Sequence, residues 1–175
     1  MSKKVEPKTF NKLDQWIISI GQVLSIIFLF CAAIIIYEII SRYIFNSPTI
    51  WVSETTILLN ALLFLYGGIY VLAKNKHIRI TILYDLFSNK VKHYINIFIA
   101  IVGIFYSTLM LIASYLVAKS ALFTPWGTFH METSGSAWDI PLPAIVKSFL
   151  FVILFIMSIQ YILYLIKYIT KGNNV

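Results

Sequence analysis

Charge is scarce in this chain. Of its 175 residues only 12% are charged, whereas 59% are hydrophobic. Soluble domains run nearer half apolar and a quarter charged, so the composition excludes an ordinary soluble domain. Cysteine is all but absent. Cys31 stands alone, which rules out an intrachain disulfide, and its place in an apolar run makes it a small buried hydrophobe. The three histidines, His77, His93 and His130, lie at or beyond the ends of the apolar runs. A two-haem four-helix cytochrome needs paired axial histidines on facing spans, and those pairs are missing. No Cys/His cluster offers a zinc site, no Gly-rich loop a phosphate cradle, and no nucleophile–base pair a hydrolytic centre. No catalytic residue, metal or cofactor is therefore expected in this chain. Internal repeats and low-complexity tracts are also absent.

Long apolar sequence is abundant. A bilayer core takes about 20 apolar residues in helix. Four stretches reach that length, at roughly 16–40, 51–73, 94–118 and 143–169. The short alternating strands of a membrane β-barrel are not seen. The expected fold is an all-α integral membrane protein with four transmembrane helices, forming one membrane domain over 1–175 with residues 1–14 as a cytoplasmic tail. A signal peptide is not expected, because the first apolar stretch is too long and no small-x-small cleavage site follows it.

The net charge of +7 would suit nucleic acid, but the basic residues flank the apolar runs, so the expected partner is the lipid bilayer. Eleven of the 14 Lys and Arg residues fall in the N-terminal tail, the 74–92 loop and the C-terminal end; only Arg42, Lys119 and Lys147 fall on the other side. The positive-inside rule then puts both termini and the 74–92 loop in the cytoplasm, with the 42–50 turn and the 119–142 loop outside. In the inner loop, Ile78, Ile82 and Leu86, with Leu83 and Phe87, share one helical face. Lys74, His77 and Arg79 accompany them. That pattern suggests an amphipathic helix lying in the cytoplasmic interface between spans two and three. The outer loop has the composition of an ordered cap. Its Trp126 and Trp138 are candidates for depth anchors or, with Lys147, for partner contacts.

Residues 42–55 read RYIFNSPTIWVSET, and they put a cation, an indole and an acid at the tip of the first hairpin. Proteins that move ions unaided usually carry an ionisable group near mid-span. The span interiors here show no Asp, Lys or Arg, and Gln22 and Asn60 are uncharged. Glu38, Arg42 and Glu54 gather toward the outer end of the hairpin. A lone carboxylate in hydrocarbon costs about 2.5–3.5 kcal/mol, and pairing offsets that. Glu38 precedes Arg42 by four residues, the favoured order on a helix face. Glu54, one turn into the returning helix, is expected to reach the same guanidinium, with Asn46 or Ser53 adding hydrogen bonds. The reading is a structural clamp of the hairpin; a clamp that also presents a docking surface, and a carboxylate that carries a proton or cation, are the alternatives. Gly21 with Ser25, Gly103 with Ser107, and Gly67-Gly68 suggest close helix packing.

The run Arg42-Tyr43-x-Phe45-Asn46-x-Pro48-x-x-Trp51-x-x-Glu54 resembles the first-hairpin signature of the small, DctQ-type membrane subunit of tripartite ATP-independent periplasmic (TRAP) transporters. Gly67, followed by Leu72-Ala73-Lys74-x-x-His77-Ile78-Arg79-Ile80, is similar to the run that follows that family's second span. Ser136-x-Trp138-x-x-Pro141 with Lys147 resembles the entry to its last span. Two departures stand out: Thr55 and Thr81 occupy positions where the family often has acids, which puts any essential role for those carboxylates in doubt. The resemblance implies four spans in the bacterial inner membrane. It also implies a large elevator-type membrane subunit that holds the substrate and sodium sites, and a periplasmic binding protein that delivers an organic acid. On that reading this chain is a non-catalytic scaffold, and sodium belongs to the partner. Two other readings stand beside it: a stand-alone four-span cation-coupled exporter using Glu38, which that residue's place near the outer end of the span, four before Arg42, disfavours, and a membrane assembly or sensory protein with no transport role, which shares the missing chemistry.

Overall fold

In the computed structural model, which describes residues 11–74 and 87–171, four long helices account for most of the chain. They are α1 (Lys12–Tyr43), α2 (Ile50–Ala73), α3 (Asn89–Leu122) and α4 (Leu142–Lys171). Each contains an apolar stretch long enough to cross a membrane. Among the described residues the only β-type pairing is an isolated bridge between Phe123 and Phe129. The all-helical four-span expectation is met. The helices also run past the expected spans: at about 1.5 Å per residue, α1 and α3 reach roughly 50 Å, well beyond a hydrocarbon core of about 30 Å. Each must tilt in the bilayer or project from it.

Local chemistry sets the helix ends. α1 opens at Asn11, whose backbone N–H donates to the Asp14 carboxylate at 3.2 Å. This is one arm of a capping box. The helix ends at Tyr43, where the Ile44 N–H donates to the Ile40 carbonyl, and Asn46 then turns the chain at a positive φ of 48°, a left-handed conformation that Asn tolerates better than most residues. Pro48 follows, and Thr49 then caps α2 in an extended conformation. Pro141 and Pro143 flank the start of α4, where a missing N–H costs nothing.

The helices run up, down, up and down, and they pack in the order α1–α2–α4–α3. α2 and α4 lie in the middle, and α1 and α3 form the two edges, so the array is open. One apolar cluster joins Ile17 and Ile18 of α1 to Ile69 and Ala73 of α2 and Ile153 of α4. A second joins Leu72, Ala100, Tyr164 and Tyr168 of α2, α3 and α4. Outside these seams the edge helices turn large side chains outward, among them Phe28 and Leu29 on α1 and Phe98 and Phe105 on α3. In lipid such faces carry no hydrophobic penalty, and helices are held by close packing and polar contacts instead.

The amphipathic helix expected over 78–87 lies outside the described residues except for Phe87, as do His77 and Arg79.

Candidate functional site at the hairpin end

Glu38, in the penultimate turn of α1, organises the first hairpin. Arg42 donates from Nε at 3.1 Å and from Nη2 at 2.7 Å to Glu38 Oε1. The Thr49 backbone N–H donates to Oε2 at 3.1 Å, and the Thr49 hydroxyl donates to the same oxygen. One carboxylate therefore ties the last turns of α1 to the cap of α2. The corner is closed by two further bonds. The Ser47 N–H donates to the Ser41 carbonyl at 3.0 Å, and the Ser41 hydroxyl donates to the Ser47 carbonyl at 2.6 Å. Trp51 leans on Tyr37 across the hairpin, ring centroids 6.2 Å apart. Asn46 serves through its backbone.

Glu54 behaves differently from the sequence expectation. It is 6% exposed and does not pair with Arg42, whose guanidinium is committed to Glu38. Instead Glu54 Oε2 accepts a 3.0 Å hydrogen bond from Ser134, eighty residues away in the α3–α4 loop. Its other oxygen, Oε1, is buried without a hydrogen-bond partner. The reason is positional. Arg42 is half exposed at the tip, whereas Glu54 lies a turn deeper in α2 on the face the loop covers.

That loop is ordered, as its composition suggests. Thr124, Pro125, Trp126 and Gly127 form a tight turn with Gly127 N–H to Thr124 C=O at 2.9 Å; Pro is favoured at the second position of such turns and Gly at the fourth. The chain then doubles back. His130 and Glu132 donate their N–H groups to the Leu122 and Ala121 carbonyls at 2.9 and 2.8 Å, satisfying two of the orphan acceptors at the end of α3. Beyond Ser134, the Ser136 hydroxyl accepts from Trp138 and Asp139 N–H groups, and Gly135 N–H donates to Asp139. Lys147 of α4 pairs with Glu132. Trp126, at the tip of the turn, is 90% exposed, and Trp138 is partly covered.

At the opposite end of the helices stands a polar cluster the sequence reading missed. Asp14 is fully buried, and its Oδ1 accepts from Gln160 Nε2 at 3.0 Å and from the Tyr164 hydroxyl. The sequence alone suggests that residue 14 ends a tail, whereas it stands in the first turn of α1. The pattern Asn11-x-x-Asp14 was a usable signal of a helix start, and Gln160 amid apolar residues was a signal of a buried partner. Lys74, the described member of the basic cluster at this end, lies 4.4 Å over the Tyr70 ring.

Comparison with known proteins decides the family. The family model described as "Tripartite ATP-independent periplasmic transporters, DctQ component" matches residues 31–170, most of the chain and all of the hairpin site. The chain belongs to this family. This DctQ-family chain is 34% identical over 96 residues to the sialic acid TRAP transporter permease protein SiaT of Haemophilus influenzae, a match covering 53% of this chain and 14% of that protein. It is 24% identical over 144 residues to the C4-dicarboxylate TRAP transporter small permease protein DctQ of Vibrio cholerae serotype O1, covering 79% of this chain and 57% of that protein. The chain thus spans well under two thirds of the length of either relative. Family and fold together make it a multi-pass membrane protein of the TRAP transport type.

Proposed function

We propose that this chain is a non-catalytic accessory subunit of a sodium-driven TRAP transporter of the bacterial inner membrane. It braces a large elevator-type permease subunit that carries the substrate and sodium sites. A periplasmic binding protein delivers the organic acid. The hairpin turn and the 123–141 loop face the periplasm, and both termini face the cytoplasm, in accord with the placement of the basic residues.

The observation that carries this reading is the use made of the acids. Each of the five in the described residues is engaged by a neighbour: Asp14 by Gln160 and Tyr164, Glu38 by Arg42 and Thr49, Glu54 by Ser134, Glu132 by Lys147, and Asp139 by Gly135. Groups tied between helices and loops fix geometry, which is what a brace requires. The open array supports the same reading, because α1 and α3 leave long apolar faces that a larger membrane protein can cover. Trp126 and Trp138 stand where a binding protein would dock.

The test is reconstitution. The lone chain in proteoliposomes should show no sodium-dependent uptake and no sodium- or proton-coupled current, and from native membranes it should copurify with a large permease. A coupled current from the lone chain would overturn the proposal.

A further inference from the structure

Between the ends of α3 and α4, at the hairpin side, lies a groove of about 640 Å³, within the size range of small-molecule sites. Tyr115, Lys119 and Leu122 line it from α3, Phe151 and Val152 from α4, and Pro125 of the loop covers its end. Tyr115, Lys119 and Leu122 fall at i, i+4 and i+7, so one helical face forms that wall. Tyr115 and Phe151 meet at 5.9 Å between ring centroids. Phe151 and Val152 lie farther along α4 from the loop, and Lys119 lies in the last turn of α3. The groove is therefore apolar toward the membrane interior and cationic where the helix emerges.

Its polar groups are mostly committed. The Thr124 hydroxyl is bonded to that of Thr128 at 2.6 Å, and Ser148 donates to the Ala144 carbonyl at 2.7 Å. The two other basic residues at this end are also spoken for: Arg42 is paired with Glu38, and Lys147 with Glu132. Lys119 is exposed, and among the described residues it has no acidic partner. No acid lines the groove, so a cationic headgroup amine would find no partner there. An acyl chain along the apolar walls with an anionic phosphate headgroup on Lys119 matches the arrangement in both polarity and order.

We propose that this groove is a binding site for one anionic glycerophospholipid of the phosphatidylglycerol class, with Lys119 holding the phosphate. The site is independent of the accessory role argued above. A lipid seated there packs α3 against α4 where the loop leaves the membrane, and it acts as a structural ligand.

The full chain, purified in mild detergent, is titrated with dioleoyl phosphatidylglycerol or dioleoyl phosphatidylethanolamine and read by native mass spectrometry. One phosphatidylglycerol should be retained in preference to phosphatidylethanolamine. Lys119→Ala should weaken that retention about fivefold, the effect of one basic residue at an anionic surface, and Lys119→Arg should restore it. Val152→Trp should fill the groove and displace the lipid. Lys90→Ala, at the far end of α3, should change nothing. Equal retention by wild type and Lys119→Ala, equal binding of the two lipids, or an equal loss in Lys90→Ala would each overturn the site. So would a photo-crosslinker at position 152 that captures a polypeptide instead of lipid in native membranes.

Discussion

The Tyr164 hydroxyl lies 3.0 Å from Asp14 Oδ1 and 3.2 Å from the Leu72 carbonyl. One phenol thus joins the start of α1, the end of α2 and the second half of α4, sharing a single proton between two acceptors. Asp14 also sits in the first turn of α1, where exposed N–H groups favour negative charge. Its burial is tolerable because the carboxylate is held by the helix start on one oxygen and by Gln160 and Tyr164 on the other.

Removing that carboxylate should therefore be costly. Asp14→Ala leaves the Gln160 amide buried without this acceptor, at about 1–3 kcal/mol, and leaves the Tyr164 hydroxyl with the Leu72 carbonyl alone. Thermal unfolding in detergent should show a clear drop, with Asp14→Asn falling between Asp14→Ala and wild type. Combining Asp14→Ala with Tyr164→Phe should cost less than the two singles together, with a coupling of about 0.5–3 kcal/mol. Additive losses would count against the network.

This cluster also shows where sequence reasoning runs out. The spans were legible because hydropathy over twenty residues is a property of the sequence itself. Charge asymmetry likewise needs no structure to be read. Asp14 was misread because its neighbours Lys12 and Gln15 look like tail, although the capping pattern was present. The pairing of Glu38 with Arg42 was legible because four residues is one helical turn. The partner of Glu54 was not, because Ser134 reaches it only once the loop has folded back over α3. Helix order was also hidden. Helices apolar all round show no face that names a neighbour, so the sequence does not reveal that α1 and α3 lie at opposite edges.

At the hairpin, Glu38 is the hub and Arg42 a spoke. Arg42→Ala removes a half-exposed partner and leaves both Thr49 bonds in place, so the chain should keep its fold, with a modest loss of stability that shrinks as salt is raised. Glu38→Ala frees Thr49 and Arg42 at once and should be the more damaging change. Thr49→Val, which deletes the hydroxyl bond while keeping the backbone one, should fall between them. Yield of monodisperse protein and melting temperature for the three variants give the order directly. Equal effects of Arg42→Ala and Glu38→Ala would show that the Thr49 bonds contribute nothing.

Glu54 should act through the loop. Glu54→Gln keeps an oxygen that can accept from Ser134 and should leave the loop docked. Glu54→Ala and Ser134→Ala both delete the tie. Hydrogen exchange of residues 130–140 should quicken in the two alanine variants and stay near wild type in Glu54→Gln. In a reconstituted complex, Glu54→Gln should retain sodium stoichiometry. A changed stoichiometry in an intact complex would identify Glu54 as an ion-handling group and remove it from the structural set.

Among the described residues the helical glycines divide into two kinds. A Cβ on Gly103 would lie 2.3 Å from Tyr161 Cε1, and one on Gly21 would lie 2.4 Å from Tyr70 Cδ2, so both positions are filled by aromatic rings. A Cβ on Gly67 or Gly68 would meet nothing within 4 Å. Alanine in a helix gains roughly 0.5–1 kcal/mol over glycine, while overpacking costs about 1–3 kcal/mol. Gly103→Ala must push a ring that packs against the α2–α3–α4 cluster, so the loss should win and the chain should melt at lower temperature. Gly67→Ala has only the gain and should melt at the same or a higher temperature as a lone chain. If α2 offers this bare backbone to the large subunit, the same Gly67→Ala, or the bulkier Gly68→Leu, should reduce copurification with it while leaving the lone chain intact. Loss of stability in the lone Gly67→Ala chain would show that the face is already covered within this chain.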